Sequence, residues 1–290
     1  MARDSTDTSS ISFTALYTGQ VWNQNGLSAP GFATPRGRFY YHAMTPFEYI
    51  GGKLVGGNIR TFLLQRHQVI DDRVADAIEN RGVTQVLEIA CGLSPRGARF
   101  AERYPGITYV EADLPDMAAR KHALLQREGR LSDRHYVVDC NILARETPDS
   151  LEKVLSDFDL SQPVLVVTEG LVNYFNLETI SGFWERLALA LHAFPRGLYL
   201  ADNYPLYDDM SFLRTLRALG KLLGSVSRSQ VSFHFHSDDE ARNTFMNLGF
   251  QHVTIHDPAD FYERLSIPRS RGRSFVRVIE GETEQPADPS

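Results

Sequence analysis

The stretch that decides the fold is VLEIACGLSPR at residues 86–96, which is followed by YVEADLP at residues 109–115. Its apolar first half predicts a β-strand that runs into a glycine turn and then a helix. The second stretch predicts another strand, and this one ends in acidic residues. Because parallel strands present their carboxyl ends to one crevice, a carboxylate, a bare turn and a second carboxylate in this order indicate a binding edge.

After Gly82 the chain alternates between predicted strands and predicted helices, which is the pattern of βαβ units around a parallel sheet. VLVV at 164–167 is continuously apolar, as expected of a central strand that is covered on both faces. The predicted strands are 85–89, 108–111, 135–139, 164–168 and 198–201, and the predicted helices are 96–104, 116–128, 148–157 and 178–194.

The end of the chain departs from this alternation. A helix predicted at 238–248 ends at Gly249, and two strands follow, QHVTIHD at 251–257 and SFVRVIEG at 274–281. Five strands with crossover helices and a closing pair predict an α/β fold, a doubly wound seven-stranded sheet whose last strand is antiparallel beside the fifth. This is the class I methyltransferase arrangement, whereas a dinucleotide-binding domain would continue with further βαβ units.

Other segments predict additions to this sheet. Residues 1–80 predict an N-terminal helical extension that forms part of an acceptor pocket, because apolar residues recur at helical spacing before Gly82. Residues 81–280 then form the methyltransferase domain, with a helical lid insertion at about 205–233, and residues 281–290 form a flexible polar tail. Aromatic residues ahead of the sheet suggest an apolar pocket; they are Trp22, Phe39, Tyr40, Tyr41, Phe47 and Tyr49.

Composition argues against several classes of protein. The net charge of −6 leaves no broad cationic surface for nucleic acid, and no apolar run approaches the roughly 18 residues of a membrane helix. The polar N-terminus lacks the apolar core of a secretory signal, so we expect a cytoplasmic protein. Cys91 and Cys140 do not make a disulfide framework or a zinc set. Both end strands that a third strand should separate, and we expect them not to bond to each other.

Four acidic residues lie at or just past the ends of the first four predicted strands: Glu88, Asp113, Asp139 and Glu169. Converging carboxylates repel one another unless they face donors or a cation. S-adenosyl-L-methionine offers both, in its hydroxyls, its amino groups and its sulfonium. NAD carries a pyrophosphate that such acids would repel. The turn ACGLS also lacks the full G-x-G-x-x-G cradle, since Ala90 takes its first glycine position.

The segments EIACGLSPR, YVEADLP and VTEGLVNYFNLE together resemble the motifs of the leucine carboxyl methyltransferase family, which includes the bacterial O-methyltransferases of polyketide pathways. RHQVIDDRV at 66–74 and ISFTALYTG at 11–19 are similar to further family segments, so the resemblance spans nearly the whole chain. The chain departs from the family pattern at two positions, where Ala90 stands for glycine and Ser94 for aspartate. An extra methyl group at position 90 would crowd the cofactor.

The resemblance implies S-adenosyl-L-methionine as the cofactor and a role for each matching residue. Arg66 would clamp the methionine carboxylate by a charge-assisted fork. Ala90 and Gly92 would let the backbone approach the cofactor, and Asp113 would hold the ribose hydroxyls.

The adenine and the methionine end of the cofactor involve the remaining residues. Asp139 and Cys140 would frame the adenine, and Glu169 would line the methionine end. The full predicted cofactor-binding set is Arg66, Glu88, Ala90, Gly92, Asp113, Asp139, Cys140 and Glu169.

Two kinds of methyl acceptor stay open at this point. A carboxylate has a pKa near ~4 and is ionised at neutral pH, so its methylation needs alignment and exclusion of water but no base. A phenol or enol needs a base. The weak candidates are Tyr204 and the pair His234 and His236, which alternate along one face of an extended stretch. Asp202-Asn203 resembles the pair in metal-dependent catechol methylation. An isolated Asp-Asn dipeptide is weak evidence for a metal site, and we expect no metal.

The leading prediction is an S-adenosylmethionine-dependent O-methyltransferase that acts on a small-molecule carboxylate or hydroxyl, polyketide-like or another secondary metabolite. One alternative is an NAD-dependent oxidoreductase, which would require the missing pyrophosphate cradle. The other is a non-catalytic S-adenosylmethionine-binding module, because Ala90 and Ser94 depart from the family pattern and no base is evident. We expect neither a nucleic-acid nor a membrane partner, and the sequence leaves the oligomeric state open.

Overall fold

The computed structural model describes residues 8–55, 58–206, 232–271 and 273–285, with the backbone alone at 8–14 and 46–55. Seven strands form one sheet: β1 (Gln85–Ile89), β2 (Thr108–Asp113), β3 (His135–Asp139), β4 (Val164–Thr168), β5 (Arg196–Asn203), β6 (His252–His256) and β7 (Arg277–Glu284). Their order across the sheet is β3-β2-β1-β4-β5-β7-β6. β7 runs antiparallel to both of its neighbours, and the other pairs are parallel. The predicted doubly wound sheet with an antiparallel last strand is confirmed.

The helices lie between these strands and ahead of them. They are α1 (Thr8–Gln24), α2 (Pro35–Val55), α3 (Ile59–Arg81), α4 (Arg96–Arg103), α5 (Pro115–Arg127), α6 (Leu151–Ser156), α7 (Leu177–Leu191) and α8 (Asp238–Asn247). Side-chain caps begin several of them, such as Asn58 on α3 and Asn176 on α7, each accepting a hydrogen bond from a backbone amide of the first turn. Gly82 ends α3 in the left-handed conformation, with φ of 71°.

The central strands are covered on both faces, and this decides where a charged side chain on them can point. Leu87 and Ile89 of β1 face one apolar layer, which includes α6 and α7. Val86 faces the other layer, which includes α3. Side chains alternate along a strand, so Glu88 shares the face of Val86 and lies against the helices rather than in the crevice at the strand ends.

The helix nearest the N-terminus, α1, packs across the carboxyl edge of the sheet. A Cβ built on Gly19 of α1 would lie 3.4 Å from Leu93 Cβ, and one built on Gly92 would lie 3.6 Å from Ala15 Cβ. Tyr17 and Val21 on α1 pack in one apolar cluster with residues of α2 and α3. This contact places α1 directly over the glycine turn.

The last strand corrects the expectation of a tail that begins at position 281. Gly281 and Thr283 belong to β7 and pair with Tyr199 and Gly197 of β5. A Cβ built on Gly281 would lie 2.6 Å from a ring atom of Phe250, so the absence of a side chain lets the aromatic ring pack on the strand. Pairing and packing, which a polar composition does not reveal, extend the sheet to Glu284.

Two expectations from the sequence concern segments that are only partly described. Residues 207–231, which hold most of the expected lid insertion, lie outside the described residues, and so do the side chains of Phe47 and Tyr49. In the described part of the chain, no helix has the length and apolar character required to cross a membrane.

Candidate functional site

The glycine turn after β1 is held open by the end of β2. Asp113 Oδ2 accepts a hydrogen bond from Gly92 N at 2.8 Å, and its Oδ1 accepts one from Leu114 N at 2.8 Å. Burial raises the pKa of Asp113, although both amide contacts favour its ionised form. The two predicted cofactor residues Gly92 and Asp113 therefore lie together, with the carboxylate fixed by backbone donors at the strand ends.

Ala90 adopts a backbone conformation that favours glycine. Its φ is 55°, in the left-handed region, where a Cβ costs about 1–2 kcal/mol. The family pattern has glycine at this position, and the turn keeps the glycine-like shape despite the substitution. The methyl group is therefore accommodated at an energetic cost to the fold.

Replacing Ala90 with glycine is expected to stabilise the protein by about 0.5–1 kcal/mol, because the relief of backbone strain exceeds the added freedom of the unfolded chain. The measurement is urea unfolding of both proteins. The matched control is Ala118→Gly in α5, at a buried helical position, where the same change should destabilise. An Ala90→Gly variant less stable than the wild type would show that the turn is not strained.

Arg66 is the central cation of the site, and α3 brings it to the ends of β4 and β5. Its Nε lies 3.0 Å from Glu169 Oε1 and its Nη1 lies 2.8 Å from Asp202 Oδ2. Nη1 also donates to the hydroxyl of Tyr204 at 2.9 Å. Burial by itself would lower the pKa of Arg66, but attraction from Tyr204, Asp202 and Glu169 raises it, so the guanidinium stays charged. Its Nη2 has no hydrogen-bond partner among the described residues, which leaves one end of the fork for a ligand.

Gly170 lies against that open end of the guanidinium. Its φ is 71°, and a Cβ built on it would lie 2.9 Å from Arg66 Nη2. Its amide donates to Asp202 Oδ1 at 2.6 Å. Glycine is therefore required here both by the backbone conformation and by the close approach of Arg66.

A Gly170→Ala variant is expected to bind S-adenosylhomocysteine about 10- to 100-fold more weakly, because the new methyl group displaces a guanidinium that Glu169 and Asp202 hold in place. The measurement is calorimetric titration. The matched control is Gly129→Ala, with φ of 63° and no atom within 4 Å of the new Cβ. Both changes should cost about 1–2 kcal/mol of stability. Equal affinities in the two variants would contradict the assigned role of Gly170.

A buried ionic cluster lies beneath the turn and joins α3, α4 and the sheet. Arg96 contacts Asp71 Oδ1 at 2.6 Å, Glu88 Oε1 at 2.7 Å and Glu169 Oε2 at 2.5 Å. His67 Nδ1 lies 2.7 Å from the same Glu169 oxygen. Burial opposes ionisation of Glu169, but attraction from His67, Arg96 and Arg66 lowers its pKa well below the usual value. The chain itself supplies cations for two of the four predicted carboxylates, Glu88 and Glu169.

Glu88 is a predicted cofactor residue that the structure does not bring to the crevice. It is 1% exposed, and its oxygens accept hydrogen bonds from Arg96 Nη1 and, at 2.8 Å, from Tyr109 OH. Both oxygens are thus occupied by donors of the protein. We assign Glu88 to holding Arg96 instead, because its place in β1 turns it toward α3 and α4.

The expected adenine side is assembled at the neighbouring strand end. Asp139 is exposed at the end of β3 and lies opposite Asp113 in register. Cys140 donates its amide to Asp113 O at 2.8 Å, and burial raises the pKa of its thiol to about 12. The structure therefore brings Asp113, Asp139 and Cys140 together. Cys91 and Cys140 are both buried and free, which confirms that they do not bond to each other.

The three base candidates do not share one position. His234 is buried, and its Nε2 donates to Val172 O at 2.9 Å, whereas His236 is exposed. The prediction that the two histidines share one face is wrong. The chain turns there into α8, where Ser237 Oγ caps the helix by accepting from the amide of Glu240, and Glu240 Oε2 accepts from the amide of His236.

Tyr204 lies at the site, but its hydroxyl accepts a hydrogen bond from Arg66, and burial raises its pKa far above neutrality. It is therefore a neutral phenol at pH 7 and not a base. Asp202, which the sequence singled out only for a metal, uses both carboxylate oxygens on Arg66 and on the amide of Gly170. Its role in the site is to orient the arginine.

Sequence reasoning missed His67, Asp71 and the function of Asp202. The first two lie in the segment RHQVIDDRV, directly after Arg66, on the buried face of α3. A histidine and an aspartate four residues apart share one helix face, and this spacing was the available signal. Their partners come from α4 and β4, which no local pattern indicates.

S-adenosyl-L-methionine fits the residues present. The open Nη2 of Arg66 suits a carboxylate, the oxygens of Asp113 and Asp139 suit hydroxyl and amino donors, and Gly92 brings no side chain of its own to the turn. A pyrophosphate would meet these acids without the full glycine cradle. The side chains of the crevice therefore favour a cationic nucleoside without phosphates.

Comparison with known sequences gives the family. Residues 41–188 match the family model described as leucine carboxyl methyltransferase. A curated relative, leucine carboxyl methyltransferase 1 of Kluyveromyces lactis, is 24% identical over 188 residues, which make up 56% of this chain and 54% of the relative. The chain therefore spans about half the length of that relative.

Comparison with solved structures gives the fold. A candidate methyltransferase from Thermobifida fusca YX has a TM-score of 0.60 at 15% identity, covering 94% of this chain and 93% of that one. The structure of PigF with S-adenosylhomocysteine has a TM-score of 0.51 at 18% identity, covering 85% of this chain and 73% of that one. At these identities the likeness shows the fold alone, and it agrees with the predicted class I methyltransferase sheet.

Proposed function

Because this chain belongs to the leucine carboxyl methyltransferase family, we propose that it is an S-adenosylmethionine-dependent O-methyltransferase whose acceptor is a small-molecule carboxylate or hydroxyl. The family predicted from the motifs is confirmed. The predicted cofactor, S-adenosyl-L-methionine, is confirmed with it. One observation supports the activity above the others. Arg66 is fixed by Glu169 and Asp202 with one end of its guanidinium open, and Asp113 holds the amide of the glycine turn.

The residues of the site divide the work of holding the cofactor, which supplies an electrophilic methyl group on a sulfonium. Arg66 would bind the methionine carboxylate, Asp113 the ribose hydroxyls, and Asp139 with Cys140 would border the adenine. Glu169 forms ion pairs with Arg66 and Arg96 and would fix the orientation of Arg66. The protein then acts by alignment and by exclusion of water.

Of the two acceptor classes, the described residues favour a carboxylate. Tyr204 is held neutral, His234 donates to a backbone carbonyl, and His236 is exposed at the start of α8. Within the described ranges, no predicted base is thus placed to take a proton from a phenol. A carboxylate is already ionised at neutral pH and needs none. The name of the Kluyveromyces lactis relative also refers to a leucine carboxyl group.

The acceptor is proposed to be polyketide-like or another secondary metabolite, with the aromatic residues of the N-terminal helices forming its pocket. Trp22 is buried and Tyr40 and Tyr41 are half-buried, which is consistent with a pocket, whereas Phe39 is 69% exposed and points away from the packed helices. We propose that the N-terminal extension, residues 1–80, forms part of the acceptor side because α1 lies over the glycine turn. A cytoplasmic location remains a prediction from the sequence.

The deciding experiment is a methyl-transfer assay with labelled S-adenosylmethionine over a panel of carboxylic acids, leucine among them, and phenols. We expect label on carboxylic acids, in a product that base hydrolyses as an ester does. A His236→Ala variant should keep full activity, since the exposed imidazole is not a base. Label on phenols alone would overturn the carboxylate assignment.

Calorimetric titration with S-adenosylhomocysteine and with NAD tests the two alternatives. We expect binding of the former only. Binding of NAD alone would support an oxidoreductase and end the methyltransferase proposal. Binding of S-adenosylhomocysteine without transfer to any acceptor of the panel would support a non-catalytic module.

A further inference from the structure

The indole of Trp22 carries a donor that the folded chain leaves unpaired. Trp22 lies in the last turns of α1 and is 6% exposed, and its Nε1 is buried without a hydrogen-bond partner in the part of the chain that the structure describes. A buried unpaired N–H costs about 1–3 kcal/mol. Native structures seldom leave such a group unsatisfied, so it indicates an acceptor atom that joins the site.

The surroundings of Trp22 identify the end of the crevice to which it belongs. The centroids of the Trp22 and His67 rings lie 4.6 Å apart. His67 contacts Glu169, which in turn contacts Arg66. Gly19, three residues before Trp22 on α1, packs against Leu93 of the glycine turn. Trp22 therefore lies beside the buried ionic cluster, on the side of the site that faces α1.

The chemistry of the indole restricts the ligand atom. An indole N–H donates and cannot accept, so its partner must be an oxygen or another acceptor. Arg96 is saturated by Asp71, Glu88 and Glu169, so the open Nη2 of Arg66 is the group that favours an anion at this end. A carboxylate oxygen meets both requirements, and the fork of Arg66 has one end open for the same group.

We propose that Trp22 Nε1 donates a hydrogen bond to the carboxylate of the methionine moiety of the cofactor. Trp22 is then the second ligand of that carboxylate, beside Arg66. It lies on α1, outside the motifs that follow Gly82. The inference rests on the proposed function for the position of the cofactor. It also explains why α1 is packed over the glycine turn, since the helix completes the methionine end of the site.

The test uses the indole signals of the ¹⁵N-labelled wild-type protein, which has two tryptophans. Trp184 Nε1 donates to Tyr199 OH at 3.2 Å in the core, so its signal serves as the internal reference. We expect S-adenosylhomocysteine to move the Trp22 signal downfield and to leave the Trp184 signal in place. Methylthioadenosine, which lacks the amino acid moiety, should leave both in place.

Two variants give a second readout. Trp22→Phe keeps the ring against His67 and should weaken S-adenosylhomocysteine binding about 10- to 100-fold, with no change for methylthioadenosine. Trp184→Phe is the control, with affinity retained. If S-adenosylhomocysteine binds and the Trp22 signal stays in place, or moves equally with methylthioadenosine, the inference is overturned. If S-adenosylhomocysteine does not bind, the cofactor assignment itself fails, so the two failures are distinguishable.

Discussion

Replacing Arg96 with methionine is expected to destabilise the protein by about 3–5 kcal/mol, because it leaves buried carboxylates without their cation. Arg96 is fully buried and contacts Asp71, Glu88 and Glu169, which come from three different elements. Methionine fills a similar volume but donates no hydrogen bond. An effect of this size is a large part of the stability of an ordinary domain.

Urea unfolding at neutral pH measures this loss, with Arg99→Met as the matched control. Arg99 lies one turn later on α4 and also contacts Asp71, but its side chain is 35% exposed. Its removal should cost about 1 kcal/mol or less. An Arg96→Lys variant, which keeps the charge and loses the fork, should fall between the two and remain measurable if the methionine variant does not fold. Equal losses for Arg96→Met and Arg99→Met would show that the cluster does not hold α3, α4 and the sheet together.

Replacing Asp113 with asparagine is expected to weaken S-adenosylhomocysteine binding about 10- to 100-fold, because the charged acceptor that we propose for the ribose hydroxyls becomes a neutral one. Stability should change little. Burial raises the pKa of Asp113, so ionisation of this carboxyl opposes folding at neutral pH, and asparagine relieves that cost. The amide oxygen of asparagine can still accept from Gly92 N, but its amino group cannot accept from Leu114 N, and the loss of that contact offsets the relief.

Calorimetry for affinity and urea unfolding for stability separate these two effects. The control is Asp116→Asn, an exposed residue in the first turn of α5, which removes the same charge three residues away. It should leave the affinity unchanged. Affinity of the wild-type value in Asp113→Asn would exclude this carboxylate from the ribose site and remove the main support for a nucleoside at the end of β2.

Local pattern was sufficient for the sheet itself. The ends of β1, β3 and β4 agree with the sequence prediction. β4 is a continuous apolar run that is buried on both sides, whereas β3 is a partly buried strand at the edge of the sheet. β5 runs beyond its prediction at both ends and β7 extends to Glu284. In these cases pairing with a neighbouring strand continues past the apolar run, and composition carries no signal of it.

The site separates the two kinds of information more sharply. The amino-acid sequence alone determined that acids follow successive strands, that a glycine turn lies between them, and that Arg66 precedes β1 on a helix. Only the tertiary structure decided which acids meet the crevice. Glu88 and Glu169 are both joined to Arg96, and Trp22 of α1 packs against His67 of the same cluster. The reason is physical: strand position orders the side chains along an edge, but the direction of each depends on helices distant in sequence that supply its partner charge.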